Sequence, residues 1–180
     1  DLTGNFGVQL NTTGAVVTKT FTVGGVTKTL DLPDGVSRYG GTLTLVTPVA
    51  DVTGSFSVEV QSGEVIFGAT DVQFFVGDKK GTASTADDTG LLVSNGTLLL
   101  VIMANNTYAF DAAGDAAVVN VPGLDFTGSF SAQRDTTGTD IDRPVTIGAG
   151  VQQVSRQLTV ARNASRFGGE KLNIPVVFPE

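Results

Sequence analysis

Apolar and polar residues alternate along this chain with a period of two. Leu2, Phe6, Val8 and Leu10 share one parity, as do Val52, Phe56, Val58 and Val60. That spacing puts each set on one face of a β-strand, with Asn5, Gln9, Ser57 and Glu59 on the other. A third stretch runs Phe126, Phe130, Ala132, Arg134, so its end is more polar. No window carries a helical period, and essentially no helix is expected. Turn signals recur at strand-sized intervals: Thr13-Gly14, Gly24-Gly25, Asp34-Gly35, Gly40-Gly41, Ser62-Gly63, Gly77-Asp78, Asn95-Gly96, Asn105-Asn106, Gly114-Asp115 and Pro122-Gly123. They imply roughly fourteen strands, mostly antiparallel neighbours. Asn95-Gly96, between Leu91-Leu92-Val93 and Leu98-Leu99-Leu100, predicts a hairpin. Leu98 to Met103 is apolar at both parities, which predicts a strand covered on both faces. The expected fold is all-β: an antiparallel meander forming a layered β-sandwich or flattened barrel, or an extended β-solenoid.

The alternating stretches open alike. Asp1-Leu2-Thr3-Gly4-Asn5-Phe6, Asp51-Val52-Thr53-Gly54-Ser55-Phe56 and Asp125-Phe126-Thr127-Gly128-Ser129-Phe130 share the form Asp-apolar-Thr-Gly-Asn/Ser-Phe. The first and third agree further. Asn11-Thr12-Thr13-Gly14 matches Asp135-Thr136-Thr137-Gly138, and Phe21-Thr22-Val23-Gly24 matches Val145-Thr146-Ile147-Gly148, all 124 residues apart. After a small insertion, Ser37-Arg38-Tyr39-Gly40-Gly41 matches Ser165-Arg166-Phe167-Gly168-Gly169. The chain therefore divides into a half-unit A (1–50), a half-unit B (51–124) and a second copy of A (125–180), packed as one continuous β-structure. One and a half units imply a piece of a longer array; the alternative is one domain with an ancestral duplication. The glycine of each Asp-x-Thr-Gly is expected at a bulge or bend, and the recurring Phe is expected to anchor the core.

Composition narrows the chemistry. The chain has neither cysteine nor histidine. Disulfides, thiolate metal sites and the commonest general base are thus ruled out. There is no Ser-x-x-Lys motif and no Gly-x-Ser-x-Gly elbow, and no enzymatic activity is expected. The net charge is −7. The excess lies in 51–124, which carries nine acidic residues and two basic ones. Such a surface repels nucleic-acid phosphate and anionic lipid. The longest apolar run, Leu98 to Ala104, is far short of the ~20 residues a spanning helix needs, so no membrane insertion is expected.

The pattern apolar-x-Thr-Gly-x-Phe-x-apolar, Asn-Thr-Thr-Gly, then Gly-Gly-x-Leu-x-Leu resembles the tandem repeats of giant bacterial RTX-like or adhesin-like surface proteins. The resemblance implies an extracellular or cell-surface, modular, stalk-like or adhesive role, and it carries no catalytic residues. The calcium-binding Gly-Gly-x-Gly-x-Asp nonapeptide of that group does not occur. No cofactor is expected apart from calcium, for which Asp87 with Asp88, Asp111 with Asp115, and Asp140 with Asp142 are the candidate carboxylates. Ordinary turn aspartates are the competing reading. Expected partners are neighbouring repeats or copies of the chain itself, with surface glycans as a further class. Two other functions compete: a self-assembling filament or pilus-like subunit exchanging strands between copies, and a carbohydrate-binding β-sandwich module presenting Tyr39 or Tyr108.

Overall fold

A computed structural model describes residues 1–48, 50–82, 86–148 and 153–173. Among the described residues it contains twelve strands and no helix. They are β1 (Leu2–Leu10), β2 (Val17–Val23), β3 (Val26–Leu32), β4 (Ser37–Val46), β5 (Ala50–Gln61), β6 (Glu64–Asp78), β7 (Thr89–Ile102), β8 (Tyr108–Val119), β9 (Thr127–Asp135), β10 (Ile141–Ile147), β11 (Val154–Val160) and β12 (Ser165–Asn173). Eight form one antiparallel sheet in the order β1-β4-β5-β6-β7-β8-β9-β12, while β2–β3 and β10–β11 are separate hairpins. The all-β, antiparallel expectation holds. The sheet is open: β1 and β12 are its edges, so the barrel alternative does not apply.

Fewer strands appear than the turn signals implied, because three of those signals lie inside strands. Gly40-Gly41 is in mid-β4, Gly114-Asp115 in mid-β8 and Asn95-Gly96 in mid-β7. Asn95 is the extra residue of a β-bulge: its φ is 52°, and the β7–β8 register shifts between Ser94 and Thr97. Asp71, with φ 55°, makes a second bulge in β6, between Ala69 and Val72. The left-handed residue that would close a hairpin here bends a long strand instead. At Gly41, a Cβ would collide with the Asn5 carbonyl oxygen, so close strand approach requires glycine there. Two of the three Asp-x-Thr-Gly glycines, Gly54 and Gly128, do sit at bulges, but on the strand opposite the surplus residue. The β1–β4 register runs unbroken through Gly4, and the shift beside Gly54 places the surplus residue on β6.

The β10–β11 hairpin lies over one face of β5–β8 and makes the core. Ile66, Leu99, Val101 and Ala109 rise from the sheet to meet Ile141, Val145, Ile147, Leu158 and Val160. Small side chains admit it. Gly40, Ser57 and Gly68 pair in one row across β4, β5 and β6. A Cβ on Gly68 would sit 2.6 Å from Ile147 Cγ1, and one on Gly40 would strike the Gly148 carbonyl oxygen. Ser57 Oγ donates to the Thr146 carbonyl at 2.6 Å.

Among the described residues only this face is covered. Leu99 and Val101 are buried, whereas Leu98, Leu100 and Ile102 point the other way and are half-buried. The expectation of cover on both faces of β7 is thus corrected. So is the Phe anchor: Phe6 is 75% exposed, Phe130 is exposed and Phe56 is half-buried. Alternation grouped these rings correctly on one face, but the hairpin covers the opposite parity.

Segments 1–48 and 125–173 follow the same path. In each, two strands pair antiparallel and a hairpin is inserted between them. Phe6↔Gly41, Gly7↔Gly40 and Val8↔Tyr39 correspond to Phe130↔Gly169, Ser131↔Gly168 and Ala132↔Phe167. Val17↔Leu32 through Val23↔Val26 correspond to Ile141↔Val160 through Ile147↔Val154. The loops agree in atomic detail. The Asn11 amide donates to Val36 O and the Asp135 amide to Ala164 O, both at 2.9 Å. Asn11 Oδ1 accepts from the amide and hydroxyl of Thr13, as Asp135 Oδ1 does from Thr137.

Candidate interaction surface

Each carboxylate named as a calcium candidate has its own surroundings. Asp111 and Asp115 lie four residues apart on β8, ~13 Å along a strand. Asp115 accepts from Asn95 Nδ2 at 2.7 Å and from Ser129 Oγ at 2.8 Å, and these bonds hold its carboxyl below the usual value. Asp140 Oδ1 accepts the Arg162 amide, and Asp142 Oδ1 accepts from Gln157 and Thr159. Asp87 accepts from the Thr82 hydroxyl. Asp88 is 5% exposed, and its Oδ1 has no hydrogen-bond partner. It borders a recess of about 420 Å³ with Thr44, Asp51, Thr53, Gln73 and Phe75. Asp51, one of the three aspartates that open the Asp-x-Thr-Gly stretches, is bound there by Lys79 at 2.8 Å. Among the described residues no three acidic side chains converge as a metal site would need.

Asp135 carries the most elaborated carboxylate environment. Burial raises its pKa, but bonds from the Thr137 hydroxyl and from the amides of Asn163, Thr137 and Gly138 outweigh burial and hold it below the usual value. Asn11 solves the same loop differently. Its Nδ2 donates to the carbonyls of Ala15, Leu32 and Pro33. Both side chains are buried and fully engaged, so they serve as loop braces.

The apolar surface is the larger feature. On the open face, a recess of about 460 Å³ is lined by Phe6, Tyr39, Leu43, Phe56 and Val58. Tyr39 is 42% exposed beside it. Tyr108 is half-buried and stacks on Phe110, with ring centroids 6.4 Å apart. The β2–β3 hairpin presents a second apolar surface. Its inward parity carries Val17, Phe21, Val23, Val26 and Leu30, and of these Phe21, Val23 and Val26 are exposed. The positions equivalent to Phe21 and Val23 are Val145 and Ile147, both fully buried. The sequence correspondence of these residues was visible; which of the two hairpins would find cover was not, because cover is a long-range property.

The outer edges of β1 and β12 complete the picture. Among the described residues neither has a strand partner on its outer side, and in an eight-stranded antiparallel sheet the two edges run in opposite directions. The fold and these surfaces define an open antiparallel β-sheet protein with one hairpin docked and one undocked. Comparison with protein-family models, with curated proteins and with solved structures finds no match for the chain.

Proposed function

We propose that the chain is a structural, adhesive tandem-repeat segment of a large bacterial extracellular protein and performs no catalysis. The observation that carries this reading is the shared register of segments 1–48 and 125–173, down to the loop hydrogen bonds of Asn11 and Asp135. A building block used twice, with a different block between, is the arrangement of a modular array in which units cover one another. Arg38 and Glu59 form an ion pair between the adjacent strands β4 and β5, which suits a mechanical scaffold. The test is the coding sequence on either side of this segment. Further Asp-x-Thr-Gly-x-Phe units are expected there, and unrelated flanks would refute the array.

A second reading is favoured by the sheet edges. β1 and β12 run antiparallel to each other, so the β12 edge of one copy can pair with the β1 edge of the next and extend the sheet as a filament. Electron microscopy of the isolated protein separates the two: ordered fibres support the filament, and a monomer at all concentrations opposes it. Glycan binding draws support from Tyr39 beside the open-face recess and is tested by a glycan array with Tyr39→Ala as control.

A further inference from the structure

The two hairpins share one register and differ in burial. Val23 is 65% exposed where Ile147 is 0% exposed, and Phe21 is 46% exposed where Val145 is 1% exposed. Nothing in the hairpins' own pairing accounts for that difference. The second hairpin is covered because four strands, β5–β8, immediately precede its module and lie beneath it.

We propose that the apolar face of β2–β3 and the outer edge of β1 form a docking surface for a four-stranded antiparallel sheet of the β5–β8 type, contributed by a neighbouring unit of the parent chain. The proposal rests on the repeat reading above and adds to it the identity and geometry of the contact. Three residue-level features carry it. First, Val17, Phe21, Val23, Leu30 and Leu32 of β2–β3 occupy the places of Ile141, Val145, Ile147, Leu158 and Val160, with which β10–β11 covers β5–β8. Second, Lys19 occupies the place of Arg143, which binds Glu64 of the underlying sheet at 2.8 Å. A basic residue is kept where an acidic B-type sheet would receive it. Third, Thr136 clamps the end of β8: its amide donates to Tyr108 O at 2.8 Å, and its hydroxyl receives the Tyr108 amide at 2.8 Å. Thr12, at the equivalent position, is exposed yet is the same residue. The β8–β9 register, with Phe110 opposite Arg134 and Ala112 opposite Ala132, carries over to Leu10 and Val8 of β1.

A second copy of this chain cannot supply the same contact. Its β5–β8 face already holds its own β10–β11, and its β8 is already paired with β9. The occupant is therefore a further B-type sheet.

The experiment joins an additional copy of residues 51–124 ahead of Asp1 and compares the extended protein with the 180-residue chain by hydrogen exchange and thermal melting. The outward β1 amides are expected to exchange at least ~10-fold more slowly in the extended protein. Phe21→Ser is expected to shift the melting temperature by under ~1 °C in the 180-residue chain and by ~4 °C or more in the extended one. Should the extended protein fail to fold, residues 1–124 placed ahead of the chain give the added sheet its own β4 neighbour, and the same two readouts apply. A folded extended protein with unchanged β1 exchange and a still neutral Phe21→Ser overturns the proposal. So does concentration-dependent protection of β1 and β2–β3 in the 180-residue chain with a dimer mass, which would make a second copy the occupant. Because the array reading is tested on the flanking coding sequence, repeats found there beside a neutral Phe21→Ser would reject the docking alone.

Discussion

Ile147→Ala and Val23→Ala probe equivalent positions on the two hairpins, and the structure assigns them very different costs. Ile147 is fully buried, and its Cγ1 packs directly over the backbone of Gly68. Truncation removes three carbons, worth ~2.4 kcal/mol at ~0.8 kcal/mol per methylene. Gly68 and Gly40 have no side chain to move into the hole, and Ser57 in the same row is small and tied to the Thr146 carbonyl. The cavity therefore persists, which places the loss at ~3–4 kcal/mol, above the transfer cost alone and in the middle of the usual range. Val23 loses two carbons that face solvent, so its loss is under ~0.5 kcal/mol. The assay is urea unfolding followed by far-ultraviolet circular dichroism, read as a midpoint shift at constant m. Equal costs within ~0.5 kcal/mol, or a loss below ~1 kcal/mol at Ile147, would refute the packing of β10–β11 on the sheet.

Two further paired substitutions follow from the same correspondence. Gly40→Ala meets the Gly148 carbonyl oxygen, whereas Gly168→Ala, at the equivalent position, has only Ser131 Oγ at 3.6 Å for a neighbour. The first is expected to cost ~1–3 kcal/mol and the second almost nothing in chemical denaturation. Asp135→Asn turns a donor toward amides that now donate to Asp135, and Asn11→Asp sets a carboxylate against three carbonyls; each should cost ~1–3 kcal/mol or more at neutral pH. Because the folded pKa of Asp135 is lowered, its stabilisation is complete above the unfolded value of ~3.9 and is lost as pH falls through the folded value. The gap between the wild-type protein and Asp135→Asn should accordingly close in an acid titration of stability, and a gap independent of pH would refute the assignment.

What could be read in the sequence was local. Alternation marked Leu2 to Leu10 as a strand, and β1 spans those residues. Thr13-Gly14, Gly24-Gly25, Ser62-Gly63 and Asn105-Asn106 fall at turns, with Gly14, Gly24, Gly25, Ser62, Gly63 and Asn106 at positive φ. Asn95-Gly96 misled because a left-handed residue serves a bulge as well as a hairpin, and the choice is made by the long β6 and β8 on either side. The Phe positions misled for a related reason. Period-two spacing sorts side chains into two faces without saying which face another element will cover. The aspartates were paired by sequence proximity, yet Asp111 and Asp115 are spread along one strand, while Asp88 shares its recess with Asp51, distant in sequence.

The cover relation also makes the chain asymmetric under truncation. Every member of the buried core cluster belongs to residues after 50. Ile141, Val145, Ile147, Leu158 and Val160 come from β10–β11, and burying each is worth ~1.5–3 kcal/mol, together ~7–15 kcal/mol. That matches the whole stability of a typical domain, ~5–15 kcal/mol. Removing residues 125–180 therefore uncovers Ile66, Leu99 and Val101 and takes away about as much burial as the fold can lose. Removing residues 1–50 deletes no member of the core cluster; it frees the β5 edge and breaks the Arg38–Glu59 pair. Residues 51–180 should thus melt cooperatively as a folded protein, whereas residues 1–124 should be unfolded or aggregated at the same temperature. Circular dichroism melts of the two truncated chains decide the matter. A cooperatively folded 1–124 would mean that the β5–β8 sheet stands without its hairpin, and the dependence of each unit on the next would be gone.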